Sequence, residues 1–125
     1  MTQKEKKELL TKDLGGRLLY GVICKTSIGD YKLLGIDDDL IHLDAPVYEV
    51  GDDYFHFYED IKPYLRPMTS MTDEEFKTYK YFFDEDGLFD CSVDVYVDWL
   101  LSCHFDFRGL IKRGLAIEAP EDMYI

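Results

Sequence analysis

The chain has 125 residues, 46% hydrophobic and 15% aromatic, which is the length of one domain and apolar enough to exclude a disordered body. Its 26 acidic residues against 14 basic ones give a formal charge of −12, which disfavours direct binding to nucleic acid or to an anionic membrane. Because the start lacks the apolar core of a signal peptide and no stretch approaches the roughly 20 apolar residues of a membrane-spanning helix, we expect a cytoplasmic protein.

The first predicted helix lies in the segment 1–18. Thr2 and Glu5 have the spacing of a capping box, and leucines recur at four-residue intervals on one narrow stripe. A narrow stripe predicts a helix that lies on a sheet. The adjacent glycines Gly15 and Gly16 are typical of a helix C-terminus, so we expect the helix to stop there.

Residues 19–66 are predicted to form an antiparallel sheet, because short apolar or β-branched runs alternate with turn residues. The short, regular spacing favours a small SH3-like, five-stranded barrel or a strongly bent sheet. The five predicted strands are 19–26, 31–36, 40–43, 47–50 and 54–58. Pro63 and Pro67 then predict a rigid connector, because proline lacks the N–H that a helix or a central strand requires.

Two helices are predicted over 72–104. Thr72 and Glu75 form a second capping box, so the start of the first of these helices is set by local sequence. Its aromatic residues, beginning with Phe76, are expected to be buried, and Gly87 is expected to end it.

The next helix, about 92–103, has apolar residues at the spacing of one helical face, from Val93 to Leu101, with acidic residues opposite. The remaining segment, 105–125, is expected to return and cover the core. Together these elements predict a single α+β domain over 1–125.

Sixteen of the acidic residues lie in two tracts without lysine or arginine, at 37–60 and 84–106. Such a field attracts a basic protein or peptide, although solubility alone explains many acidic surfaces and turn chemistry favours aspartate in loops. The residues predicted to bind a partner are Asp37, Asp38, Asp39, Asp52, Asp53 and Tyr54.

A second candidate group is His104, Asp106 and Arg108, which share one face if this segment is extended. These residue types can perform acid–base chemistry or hold an anion. The alternative is that they form an ion pair that fastens the segment after the last helix.

The sequence predicts neither a cofactor nor a metal site. It contains no Gly-rich phosphate loop, and the acidic run before Gly87 lacks the first and last ligands of a calcium loop. Three cysteines without C-x-x-C spacing, Cys24, Cys91 and Cys103, are expected to be small buried hydrophobic residues.

Several sequence blocks carry a resemblance to known proteins. They are Lys12-Asp13-Leu14 with Arg17-Leu18 and Tyr20-Gly21-Val22, 61–68 with Ser70-Met71-Thr72, and 99–100 through 104–111 and 114–120. Over nearly its whole length the chain resembles an uncharacterised family of short acidic proteins encoded by gut anaerobic bacteria and their bacteriophages or mobile elements. Two positions depart from that family, Leu19 in place of proline and Phe107 in place of tyrosine. The resemblance implies a phage-associated context and no catalytic residues.

Three functional hypotheses follow from the sequence. The leading one is a non-enzymatic acidic protein that binds a basic partner, including a nucleic-acid-binding protein whose DNA site it would occupy by charge mimicry. The alternative is a small enzyme or anion-binding protein that uses His104, Asp106 and Arg108. The third is a structural accessory domain that self-associates.

Overall fold

The computed structural model describes residues 2–26, 29–37, 40–44, 55–57 and 61–124. Within them the fold is α+β, with an N-terminal helix, a sheet and two later helices, and this prediction is confirmed. The helices are α1 (Gln3–Arg17), α2 (Asp73–Lys80) and α3 (Val93–Ser102). The strands are β1 (Ile23–Thr26), β2 (Gly29–Asp37), β3 (Leu40–Leu43), β4 (Phe55–Phe57), β5 (Lys62–Leu65) and β6 (Ile117–Glu118).

The strands form one open sheet in the order β4-β3-β2-β1-β5-β6. Neighbours pair antiparallel except the short β6, which runs parallel to β5. The predicted closed barrel is wrong, because in the described part of the chain the edge strands β4 and β6 lie at opposite ends and do not pair with each other. The SH3-like character of the sheet stays a prediction, and the predicted strand 47–50 lies outside the described residues.

The predicted connector around Pro63 is also wrong, because this segment contains β5. This strand pairs with β1 through Lys62 and Pro63, and with β6 through Tyr64 and Leu65. Pro63 therefore has a paired residue on the β1 side only, so its position resembles that of an edge strand, where proline is tolerated.

Helix α1 continues through both glycines instead of stopping at them. A Cβ at Gly16 would lie 3.2 Å from the Leu101 side chain of α3, whereas a Cβ at Gly15 would meet nothing within 4 Å. Gly16 thus allows α1 and α3 to approach closely. The first predicted strand consequently starts late, at Ile23, after a 3₁₀ turn at Leu18–Tyr20.

The main core lies between α1 and the sheet, as expected for a helix with a narrow apolar stripe. Leucines of α1 pack with buried residues of the sheet and of the C-terminal segment. The buried members are Leu10, Leu14, Val22, Cys24, Leu33, Ile41, Leu43, Ile61, Leu65, Leu110 and Ala116. Of the three cysteines only Cys24 is buried, so the prediction of buried cysteines is wrong for Cys91 and Cys103.

Helices α2 and α3 are much more exposed than the sequence predicts. Helix α2 ends at Lys80 and has no buried residue, and its Phe76 is 48% exposed. Helix α3 buries only Leu100 and Leu101, while Val93 at its start is 63% exposed. The pair of helices is therefore packed into the core at the C-terminal end of α3, while the start of α2 is tied to Arg66, after β5, by an ion pair with Glu75.

Candidate interaction surface

A continuous series of aromatic contacts holds α2, α3 and the loop between them together. Tyr79 packs on Phe83 with ring centroids 5.0 Å apart, Phe83 on Phe89 at 5.8 Å, and Phe89 on Tyr96 at 5.2 Å. Aromatic pairs at such distances stabilise by about 0.5–1.5 kcal/mol beyond area burial. These rings therefore form an aromatic cluster of their own. We call α2, α3 and the loop between them the lobe.

A second path of rings joins this cluster to the core. Tyr96 contacts Phe82 at 5.1 Å, Phe82 contacts Trp99 at 5.5 Å, and Trp99 contacts the fully buried Phe105 at 5.7 Å. The lobe is thus anchored by rings from α3 and from the residues after α2.

The loop between the two helices has a defined shape. Phe83 and Phe89 form an antiparallel bridge, and the Asp84 carboxylate accepts hydrogen bonds from the N–H groups of Asp86 at 3.0 Å and Leu88 at 2.8 Å. Gly87 turns the chain with a φ of 80°, which favours glycine. Asp84 therefore serves as a turn residue here, and the loop presents its remaining side chains to solvent.

Exposed apolar side chains are concentrated in this lobe. Isolated exposed hydrophobic residues are normal, but a concentration of them on one surface marks an interaction site. Of the eight large hydrophobic residues that are exposed in the described chain, six fall between 76 and 95. They are Phe76, Tyr81, Leu88, Phe89, Val93 and Val95, with exposures from 40% to 84%.

The same lobe carries an exposed row of carboxylates, and the tract 84–106 contains no lysine or arginine. The exposed carboxylates are Asp84, Glu85, Asp86, Asp90, Asp94 and Asp98. Lys80, the last residue of α2, lies over the Phe76 ring, with its Nζ 4.5 Å from the ring centroid. We call these six carboxylates and the six exposed apolar residues the acidic–apolar surface.

The residues His104, Asp106 and Arg108 do not converge on a pocket, and the predicted extended geometry is wrong. His104 has a φ of 64°, is buried, and stacks on Tyr124 at 3.7 Å. Burial, with Arg17 and Arg66 nearby, lowers the pKa of His104 to about 4. Its burial and its stacking on Tyr124 favour a structural role for His104.

The other two candidates also hold the chain in place. The Asp106 carboxylate accepts hydrogen bonds from the N–H groups of Leu110 at 2.7 Å and Ile111 at 3.0 Å. Arg108 donates to the Asp13 carboxylate at 2.7 Å. These contacts favour the structural alternative, in which the segment after α3 is fastened by ion pairs and hydrogen bonds.

A buried charge network at Asp13 was not predicted from the sequence. Asp13 and Arg17 are both 0% exposed, and Arg17 donates to both carboxylate oxygens and to the carbonyl of Phe105. The only local signal is their four-residue spacing on α1, which normally indicates a surface pair. Burial of the pair depends on Arg108 and Phe105, far away in sequence.

A cleft of about 490 Å³ lies beside α2, between β5 and the C-terminal segment. Arg66 binds both oxygens of Glu75, at 2.6 and 2.7 Å, and this ion pair lowers the pKa of Glu75 to about 2. The Cys103 thiol is near this pair, and burial raises its pKa, which disfavours a reactive thiolate. The Arg66–Glu75 ion pair thus occupies one wall of the cleft.

The residues predicted to bind a partner in the first acidic tract lie mostly outside the described residues. Asp38, Asp39, Asp52, Asp53 and Tyr54 are not described, and Asp37 is described only as the last residue of β2.

None of the helices in the described residues has the length and hydrophobicity to cross a membrane. Among the same residues there is no group of three or more His, Cys, Asp or Glu side chains placed to hold a metal ion.

Comparison with known proteins gives no relative. No protein-family model, no curated protein and no solved structure matches the chain. Function is therefore inferred from the geometry and charge of the acidic–apolar surface.

Proposed function

We propose that the protein is a non-enzymatic interaction protein that binds a basic partner protein or peptide through its acidic surface. The observation that carries the proposal is the row of six exposed carboxylates between 84 and 98, in a tract without lysine or arginine. An excess of charge of one sign steers an oppositely charged partner and raises its association rate.

The enzyme alternative has less support. His104 is buried and stacked, Asp106 holds backbone N–H groups, and Arg108 is bound to Asp13. An acid–base site needs these groups to face a common substrate atom, and they do not.

The resemblance to bacteriophage and mobile-element proteins extends the proposal. In that context the basic partner is a cytoplasmic nucleic-acid-binding protein of the host, and the acidic surface occupies the site where DNA would bind. A duplex DNA competitor should then displace the protein from that partner. DNA and the protein are both negatively charged and would bind the same basic site.

The proposal is tested by capture from a lysate of a gut anaerobe on the immobilised protein, with elution by rising NaCl. We expect basic proteins to be retained at about 50 mM NaCl and released by about 500 mM, because salt screens charges beyond a Debye length. The matched control is the triple variant Asp86→Asn/Asp90→Asn/Asp98→Asn, which should retain much less. Retention of nothing at low salt, or binding indifferent to salt, would overturn the proposal.

A further inference from the structure

We propose that the partner is held by apolar anchors as well as by charge, and that the acidic–apolar surface binds a basic amphipathic segment. This inference rests on the proposed function and specifies its surface and the chemistry of the partner. The segment would place large hydrophobic side chains against the exposed apolar residues and direct its lysine or arginine residues to the surrounding carboxylates.

Two exposed aromatic rings of this surface are packed on neighbouring rings. Phe89 is 40% exposed, although its ring packs on Phe83 and Tyr96, and Phe76 is 48% exposed although its ring stacks near Tyr79. Both rings are held by their neighbours and remain partly exposed, although Lys80 lies over the Phe76 ring. An ordered apolar side chain loses little conformational freedom when it is covered, which favours binding.

The loop between α2 and α3 exposes Leu88 on a backbone that is held by hydrogen bonds. Leu88 is 66% exposed, while its own N–H donates to Asp84 and its carbonyl accepts from the Asp84 N–H at 2.7 Å. Val93 is 63% exposed at the start of α3, one turn before Tyr96 of the ring cluster. Both side chains are therefore exposed, and Leu88 is presented on a backbone that is already hydrogen-bonded.

Charge complementarity favours a partner that carries lysine or arginine residues. In the loop, Asp90 follows Phe89 and Asp86 is two residues before Leu88, and all four side chains are exposed, so acidic and apolar groups are interspersed there. A hydrophobic segment without positive charge would leave these carboxylates uncompensated. A second copy of the protein would bring like charges together, which is repulsive.

The experiment measures binding of two synthetic peptides by fluorescence anisotropy. Both have about 14 residues of the same lysine and leucine composition; in one the leucines share a helical face, and in the other they are scrambled. We expect the amphipathic peptide to bind about tenfold more tightly and to retain measurable binding at about 500 mM NaCl, where the electrostatic contribution is screened.

The test variant is Leu88→Ser/Val93→Ser, which removes two exposed apolar groups and no ring of the cluster. The matched control is Leu19→Ser/Leu34→Ser, because Leu19 is 91% and Leu34 59% exposed and both lie outside the lobe. We expect the test variant to bind the amphipathic peptide about tenfold more weakly and the control to bind it as the wild type does.

The outcomes separate this inference from the function on which it rests. If both peptides bind equally and salt abolishes both, the apolar anchors are wrong and the basic-partner proposal stands. If neither peptide binds at about 20 mM NaCl, where surface charges are least screened, the basic-partner proposal itself fails. Self-association of the wild type that is lost in Leu88→Ser/Val93→Ser would assign the surface to a second copy and overturn the inference.

Discussion

Asp13 is a fully buried carboxylate that compensates two arginines. It accepts from Arg17 at 2.8 and 3.1 Å and from Arg108 at 2.7 Å. Arg17 is itself 0% exposed, and its Nη1 has no hydrogen-bond partner within the described chain. The network therefore depends on one negative charge, and its loss leaves a buried cation without a counter-ion.

We expect Asp13→Asn to lower the free energy of unfolding by about 3–5 kcal/mol, the range for removal of one partner of a buried ion pair. Arg108→Gln should cost only about 1 kcal/mol, because the Arg108 side chain is 20% exposed and water can replace part of its contact. Urea denaturation of both variants measures the difference. Equal stability of Asp13→Asn and wild type would show that the network contributes nothing.

His104 should make stability depend on pH. Its pKa is lowered to about 4 by burial and by Arg17 and Arg66, whereas an unfolded histidine titrates near 6.5. The unfolded chain therefore binds the proton first, so stability is complete above pH 6.5 and is lost as pH falls toward about 4. We expect a loss of about 1 kcal/mol between pH 7 and 5, a value reduced for partial contact with solvent.

The measurement is the urea midpoint at several pH values for wild type and His104→Asn. Asparagine tolerates the positive φ of this position and does not titrate. The difference between the two profiles isolates His104 from the other two histidines of the chain. Parallel profiles would mean that His104 titrates normally in the folded protein.

At the scale of the helix, the adjacent glycines of α1 have different roles. A Cβ at Gly15 meets nothing within 4 Å, while one at Gly16 lies 3.2 Å from Leu101 Cδ1. We expect Gly15→Ala to stabilise the protein by about 0.5–1 kcal/mol, because alanine favours the helix. Gly16→Ala should gain less or lose stability, since Leu101 must shift. Thermal unfolding of the two variants gives their order, and a larger gain for Gly16→Ala would contradict the close packing of α1 and α3.

Elements set by local chemistry could be predicted from the sequence. The capping box of α2 is present in both halves, since Thr72 accepts from the Glu75 N–H at 3.1 Å and Glu75 accepts from the Thr72 N–H at 2.9 Å. The strand at Pro63 could not be predicted, because local sequence disfavours it and its pairing partners, β1 and a β6 more than 50 residues later, lie elsewhere in the chain.

The candidate surface could be predicted only in part, for a similar reason. The acidic tract 84–106 is visible in the sequence, but the periodicity of α2 and α3 predicts that their apolar faces are buried. How much of each face is covered depends on distant elements. Leu101 is buried beside Gly16 of α1, whereas Val93 at the other end of the same helix meets no comparable cover and is 63% exposed.

The charge of the whole molecule should lower its stability at low ionic strength. With a net charge of −12 and six exposed carboxylates on one lobe, repulsion between like charges opposes the compact state. We expect the urea midpoint to rise when NaCl increases from about 20 to about 300 mM, because the Debye length shortens from about 20 Å to below 10 Å.

The control for this effect is the variant Asp86→Asn/Asp90→Asn/Asp98→Asn, which removes three of those charges without introducing a cation. Its midpoint should be higher than that of the wild type at low salt and should depend less on NaCl, because less repulsion remains to be screened. A wild-type midpoint that falls with NaCl would show that attractive ion pairs such as Arg66–Glu75 outweigh the repulsion. If the midpoint rises as expected, a bound basic segment should stabilise the protein in the same way, since it would neutralise the same carboxylates that salt screens.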